Sequence, residues 1–457
     1  MPIKFTTKVS LPIGADPKKL AAIGLGFACG VIVPLSAGGD TANQALADWL
    51  GKASKFEKKL QQKCALEFTK GVPDFKKMAK TYLSNRRCLL VALFEHNRKQ
   101  PLDCRMTLAE LEALSEHSNI LKSLSEPAKI WAEQKSSGNG ERVICAFGPL
   151  AGAAQRMVRK MLRLTYQPQV FQYLKIGSAQ KVELAMNLIK QKGYTHALEI
   201  DIKAFFPSFT EEDLIAVLPL PPEAVRHIIM AKTAAWTPWY SHTTKSYILS
   251  PPGMPQGSVS SAEVALWCVA QLVMKKMKGV VLIIHADNFF ILAQSQELLK
   301  DASNALSAAI SALPGGDFLG EIKQKGEIAP GFRMLGCNIW REKKGHLVVE
   351  PSETNYKKMN ARVQRHCQKA HALLTKADVE GHADCRIHGL QEYLRLESVC
   401  TGWMAAFGFC GPHLDAVAND HADLLAEIRQ TYDIKDSELS PLKDASTAVQ
   451  IKWYSSA

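Results

Sequence analysis

The sequence predicts an α+β chain whose β-sheet core lies between helical regions, and three observations carry that prediction. Residues 196–202, HALEIDI, place Leu198, Ile200 and Ile202 on one face and Glu199 and Asp201 on the other, the period-two pattern of a half-buried strand. Residues 280–293, VVLIIHADNFFILA, are two apolar runs around a short polar break, which reads as a buried β-hairpin. Helical spacing and capping signals run through residues 40–135 and return from about 353 to 432. At 457 residues there is material for roughly three domain-sized units.

In chain order, residues 20–39 carry no charge, but five glycines and Pro34 dilute them. A buried small-residue segment is therefore expected there, and no membrane partner. Residues 40–135 read as mostly helical, with Thr107 and Glu110 spaced for a capping box. Their basic clusters come with no recognisable chemistry. The polar stretch QKSSGNGER, 134–142, is the expected edge of an N-terminal unit, 1–140. Residues 154–164 then place Arg156, Arg159, Lys160 and Arg163 at i, i+3, i+4 and i+7, a basic stripe opposite Met157, Val158, Met161 and Leu162. Spacing alone fits a solvated face as well as a binding one.

After the strand at 196–202 comes a polar, aromatic loop, AAWTPWYSHTTKSY, and then SPPGMPQGSVSSAEVALWCVAQLVMKKMK. In that stretch Ser260 and Glu263 match a second capping box. Gly257 and Ser258 sit just ahead of the helix, where free backbone N–H groups point outward. The hairpin at 280–293, a helix at about 296–312 and the hairpin-like FRMLGCNIWREKKGHLVVE complete the central part.

Lysine and arginine number 56 against 44 aspartates and glutamates, and the net charge of +12 suits a polyanionic partner, nucleic acid before an anionic membrane. Hydrophobic residues at 47% and charged residues at 22% fit an ordinary globular protein and exclude a disordered one. Eleven scattered cysteines with no close disulfide framework fit reduced thiols and a cytoplasmic location.

The chemistry centres on two carboxylates. Asp287 stands at the tip of a ribbon with apolar flanks, and Asp201 interrupts a buried strand. Each alone is ordinary, since Asp-Asn is common turn chemistry. If the strands are neighbours, the two acids repel each other unless a cation lies between them. Magnesium, which takes few protein oxygens and completes its shell with water and phosphate, fits such a pair.

The wording and order of these pieces resemble the reverse transcriptase family over roughly residues 141–340. DIKAFFPSF resembles its first palm motif, GMPQGSVSS its second and HADN its third; FLGEIKQKG and FRMLGCNI resemble the two that close the palm. RVICAFGPLAGAAQRMVRKML resembles the preceding fingers segment. The resemblance implies a right-hand polymerase: fingers and palm at 141–340, a helical thumb and C-terminal region at 341–457, and a mostly helical N-terminal extension. Bacterial retron and phage-defence reverse transcriptases are the most similar in architecture.

Carried over position by position, the resemblance implies that Asp201 and Asp287 hold two Mg²⁺ ions, for which Mn²⁺ can substitute. Asn288 belongs to the same catalytic tip. Phe206 becomes the plate under the sugar that excludes a 2′-hydroxyl, and Gln256, Gly257 and Ser258 line the nucleotide and template side. Arg142, Arg156 and Lys160 are the fingers candidates for the triphosphate, and Lys323 the proton donor to leaving pyrophosphate. The implied partners are an RNA template, including a dedicated non-coding RNA, a DNA product, dNTPs, and a partner protein or second copy of the chain.

Two positions depart from the family. Asn288 replaces a second aspartate, so one metal loses a charge, and His285 replaces an aromatic. Glu199, on the same strand face as Asp201, is a candidate for the missing charge. Other readings stay open: an RNA-dependent RNA polymerase, synthesis without a template or primed by a tyrosine such as Tyr356, Tyr393 or Tyr454, and a catalytically dead nucleic-acid-binding scaffold. Separately, Cys367, His371, His382, Cys385 and His388 have spacings compatible with a tetrahedral zinc site.

Overall fold

The computed structural model describes residues 25–28, 31–34, 39–100, 105–135, 140–166, 177–239, 248–440 and 442. Tyr454, part of the segment 20–39 and residues 240–247 of the aromatic loop lie outside the described residues. Strands β1 (Leu25–Ala28) and β2 (Val31–Pro34) pair antiparallel. Helices α1 (Gly39–Lys70), α2 (Val72–Leu83), α3 (Arg86–Asn97) and α4 (Leu108–His117) follow. The Thr107 hydroxyl accepts from the Glu110 N–H at 3.4 Å, and the Glu110 carboxylate accepts from the Thr107 N–H at 2.8 Å, closing the expected box at the start of α4.

The region read as helical to residue 135 ends instead in a strand, β3 (Pro127–Gln134). Buried Ala128, Ile130 and Ala132 alternate there with Lys129, Trp131 and Glu133, and period two prevails over helix propensity. β3 pairs antiparallel with β4 (Glu141–Phe147), so the polar stretch at 134–142 connects two paired strands. Helix α5 (Pro149–Leu162) opens at Gly148-Pro149 without a cap of its own. Glu126 supplies one, accepting from Leu150 N at 3.2 Å and Ala151 N at 2.9 Å.

Next come α6 (Ser178–Lys192), β5 (His196–Ile202), α7 (Glu211–Val217) and β6 (Ala235–Pro238), which pairs in parallel with β3. Then follow α8 (Ser261–Ala270), β7 (Val280–His285), β8 (Asn288–Ala293), α9 (Gln296–Ser311) and β9 (Gly320–Glu327). The central sheet runs β7-β8-β5-β9, with every neighbour antiparallel. A smaller antiparallel sheet holds β10 (Phe332–Met334), β11 (Cys337–Arg341) and β12 (Leu347–Pro351). Helices α10 (Glu353–Glu380), α11 (Ala383–Phe407) and α12 (Asp415–Thr431) close the described chain. No helix among the described residues is long and apolar enough to cross a membrane.

The pleat of β5 sorts the core. Leu198, Ile200 and Ile202 join Ile284, Phe289 and Ile291 in one cluster that continues through α5 into helices α1 to α4. Ala197, Ile283, Phe290 and Leu292 face the other way, toward α6 and the β10–β12 sheet. Burial of these side chains at about 25 cal/mol per Å² of apolar surface is the main force that holds the strands in this register.

Helices α3 and α5 meet at Gly152, where an added Cβ would lie 2.2 Å from Cε1 of buried His96. Burial, then Arg156 and Lys99, pull the His96 pKa down to about 4. A histidine depressed on folding contributes stability that is complete above the unfolded value near 6.5 and lost as pH falls toward 4, by at most about 3 kcal/mol. The denaturant midpoint should therefore drop between pH 7 and 4 in the parent and drop less in His96→Gln. Equal slopes would show that His96 does not carry the effect.

Candidate catalytic site

β5 runs out at Ile202 beside the turn that joins β7 to β8. Asp201 lies opposite Asn288 in the sheet register, and the Ile202 N–H donates to the Asp287 carbonyl at 3.1 Å. Pairing of β5 with β8 thus brings the two aspartates together, as expected for neighbouring strands. Ala286, at φ +54°, lets the turn close in a conformation that side chains seldom adopt.

Burial pushes the Asp201 carboxyl above its usual range, and the Asp287 charge pushes it further, against Lys323. Burial also raises Asp287, opposed by its own backbone N–H, Arg142 and Asn288. Two half-buried carboxylates, one of them raised further by the charge of the other, form a donor set suited to a divalent cation. With Asp201 and Asp287 as its protein ligands, such an ion would draw the rest of its shell from water and substrate phosphate, which is magnesium's habit. Asn288 acts as a donor here: its Nδ2 reaches Asp287 Oδ1 at 3.3 Å. Glu199 instead accepts from Gln324 Nε2 at 2.9 Å, a structural bond along the β5–β9 seam.

Lys323, on β9, places Nζ 3.6 Å from Asp201 Oδ2 and 2.7 Å from Glu321 Oε2. Arg142, on β4, is exposed and close enough to oppose the raised Asp287 carboxyl. β4 is tied to the second motif by Cys145 N, which donates to the Gln256 carbonyl at 2.7 Å. Gly257 follows at φ +102°, where a Cβ would lie 2.2 Å from the Cys145 carbonyl oxygen. The half-buried Phe206 ring meets Phe205 edge-on at 5.8 Å between centroids. The Phe206 carbonyl accepts from Met254 N at 3.0 Å, and Gly253 lies against the Phe206 and Pro207 carbonyls. The first and second motifs therefore brace each other through backbone.

Other expected residues are placed differently. Ser258 is buried, and its hydroxyl lies 2.9 Å from that of Ser260, inside the turn and away from the exposed edge at Gly257. The second capping box does not form: Ser260 makes no side-chain cap. Glu263, 4% exposed, binds Arg159 and Arg163 at 3.0 and 2.9 Å and accepts from the Tyr166 hydroxyl at 2.7 Å. A buried carboxylate needs cations more than a cap does. Lys160 lies between Glu57 and Glu95, 2.9 and 2.8 Å away, so its charge is taken up by the N-terminal helices. Arg156 is half-buried, and Glu95 is the carboxylate whose charge offsets that burial. Arg159, Lys160 and Arg163 of the basic stripe are engaged by Glu263, Glu57 and Glu95, and Arg142 is the fingers candidate whose charge acts on Asp287.

Among the described residues no group of three or more His, Cys, Asp or Glu is placed to hold a metal. The zinc spacing is absorbed by helix contacts: His371 Nδ1 lies 2.9 Å from the Tyr432 hydroxyl, and His382 Nε2 lies 3.2 Å from Glu380. A cavity of about 710 Å³ opens between β9 and the β10–β12 sheet, lined by Glu199, Lys323, Gln324, Arg333, Trp340 and Glu350, and neither aspartate lines it. Glu126 and Glu321 were not singled out in the sequence, because their partners lie on other elements or in an ordinary strand pattern.

No family model matches the chain, and no curated protein matches it. Among solved structures it is similar to telomerase from Candida albicans in complex with the TWJ fragment of telomeric RNA, at 11% identity and a TM-score of 0.36, over 74% of this chain and 64% of that one. It is also similar to apo telomerase from Candida tropicalis truncated from its C-terminal domain, at 12% identity and a TM-score of 0.32, over 50% and 56% of the two chains. The chain spans less than two thirds of either telomerase chain.

Proposed function

We infer that this chain is a nucleotidyltransferase of the reverse transcriptase kind, an RNA-directed DNA polymerase. The observation that carries this reading is the meeting of Asp201 and Asp287 at the end of β5, with Lys323 reaching the first and Arg142 the second. Magnesium ions bound by the aspartates, or manganese in their place, would activate the attacking hydroxyl and take up charge on the leaving pyrophosphate. Arg142 offers a planar guanidinium to triphosphate oxygens. Lys323, oriented by Glu321 and Asp201, has an ammonium to give up a proton to the departing oxygen. Gln256 and Gly257 would allow close approach of the nucleotide, and the Phe206 ring, on a backbone fixed by the Met254 bond, would exclude a 2′-hydroxyl. An RNA template, dNTPs and a DNA product follow from this reading. A bacterial antiphage or retron-like setting in the cytoplasm rests on the motif resemblance.

Labelled-nucleotide incorporation tests the reading. The parent should extend a DNA primer on an RNA template with dNTPs, and nucleic acid co-purifying with it should contain the template. Phe206→Ala should raise ribonucleotide use relative to deoxynucleotide use by at least about tenfold while dNTP incorporation persists. A parent that incorporates only ribonucleotides would make it an RNA polymerase instead.

A further inference from the structure

The sheet of β10, β11 and β12 turns one face to the core and the other to the cavity of about 710 Å³. Cys337, Ile339 and Val349 are buried on the first face. On the second, the register sets Arg333 opposite Asn338 and Asn338 opposite Glu350, so a cation, an amide and a carboxylate stand in one row across the strands. Trp340, two residues beyond Asn338 on β11, shares that face. The facing wall is the β5–β9 seam. There Gln324 joins the two sheets: its Nε2 donates to Glu199 at 2.9 Å, and its Oε1 accepts from Arg333 N at 3.1 Å. The walls are thus fixed to each other before anything enters.

The row itself is uncommitted. Among the described residues, the side chains of Arg333, Asn338, Trp340 and Glu350 make no hydrogen bond, ion pair or ring contact. The remaining charges on the walls are occupied, Glu199 by Gln324 and Lys323 by Asp201 and Glu321. Glu350 would repel a purely anionic occupant and Arg333 a purely cationic one. An occupant that satisfies all four side chains carries an anion at one end, a flat ring, and N–H donors at the other end. A nucleotide has this form, since guanidinium grips phosphate through two parallel bonds and an aromatic face stacks on a base. Among the bases, guanine presents two adjacent N–H groups, N1 and N2, to a carboxylate, and its O6 accepts from an amide. The volume falls within the range of about 300–1,000 Å³ usual for small-ligand sites.

We propose that this cavity binds one guanine nucleotide, its base on Trp340, its edge on Glu350 and Asn338, and its phosphate at Arg333. The site uses neither aspartate, so it stands whether or not the chain polymerises. Its occupant is a free nucleotide or an unpaired guanine of an RNA strand, two sources of the same chemistry.

The test is equilibrium binding of fluorescently labelled guanosine monophosphate to the full chain, with unlabelled competitors. Chelator is present throughout, to keep metal-borne nucleotides off the aspartates. Guanosine monophosphate should compete at least about tenfold better than the adenosine, cytidine or uridine monophosphates. Glu350→Gln should bring it within about twofold of the adenosine compound, and Trp340→Ala should weaken every base roughly tenfold. Arg333→Gln should weaken guanosine monophosphate roughly tenfold and leave guanosine unchanged. A short oligoribonucleotide with one terminal guanine that competes at lower concentration than the monophosphate makes a strand the occupant; one that competes no better makes it the free nucleotide. Thermal melting identifies any variant that fails to fold, and the base preference of the parent needs no variant. A parent with no preference for guanine in either form, or a preference that persists in folded Glu350→Gln, would overturn the proposal and leave nucleotide incorporation at the aspartates untouched.

Discussion

Asp287→Asn should abolish nucleotide incorporation, by at least about 10³-fold, or roughly 4 kcal/mol of transition-state stabilisation, while leaving the protein as stable as the parent or more so. The two halves of this result have one cause. Burial and then the Asp287 charge raise the Asp201 carboxyl, and burial raises Asp287. A carboxyl raised on folding contributes stability that is complete below its unfolded pKa and lost as pH rises through its folded value. At neutral pH in chelator, the ionised pair is therefore a strain on the fold, and a neutral amide at 287 relieves it. Incorporation assays with dNTPs and melting curves in chelator measure both halves. A variant that stays active would sink the assignment of Asp287, and one that melts well below the parent would show the carboxylate to be structural.

The second large effect is on stability. Gly257→Ala should cost about 3 kcal/mol or more, because the new Cβ must occupy space 2.2 Å from the Cys145 carbonyl at a φ of +102°. Neither can be relieved by a rotamer, since the obstacle is backbone. Relief by movement would break the 2.7 Å bond from Cys145 N to the Gln256 carbonyl, which ties β4 and Arg142 to the second motif. Chemical denaturation should show a clearly lower midpoint, and nucleotide KM should rise in whatever fraction remains folded. A variant with parent stability would mean that β4 and the turn at 257 are not in contact.

Much of the centre was legible in the residues themselves. The alternation in HALEIDI and the two apolar runs around HADN are local patterns, and they became β5 and the β7–β8 hairpin. Legible too was the capping box at Thr107, which depends on residues three apart. What could not be read depends on partners distant in the chain. Nothing near Glu263 says that Arg159, Arg163 and Tyr166 will surround it, so its local spacing suggested a cap. Lys160 belonged to an evident basic stripe, but whether Glu57 and Glu95 or a triphosphate meets that stripe is decided by helix packing. β3 was missed because a short alternating run next to long helices carries little weight until β4 and β6 are beside it. The zinc spacing failed for a related reason: helix contacts engaged its histidines one by one.

The ion network under α5 has a further consequence. Lys160 is clasped by Glu57 from α1 and Glu95 from α3, Tyr82 from α2 donates to Glu57 at 2.6 Å, and one apolar cluster continues from these helices to the sheet beneath the aspartates. The helices at the front of the chain and the sheet that carries the aspartates are thus built as one packed unit. Removing α1 would therefore strip Glu57 from Lys160 and lay open the underside of α5.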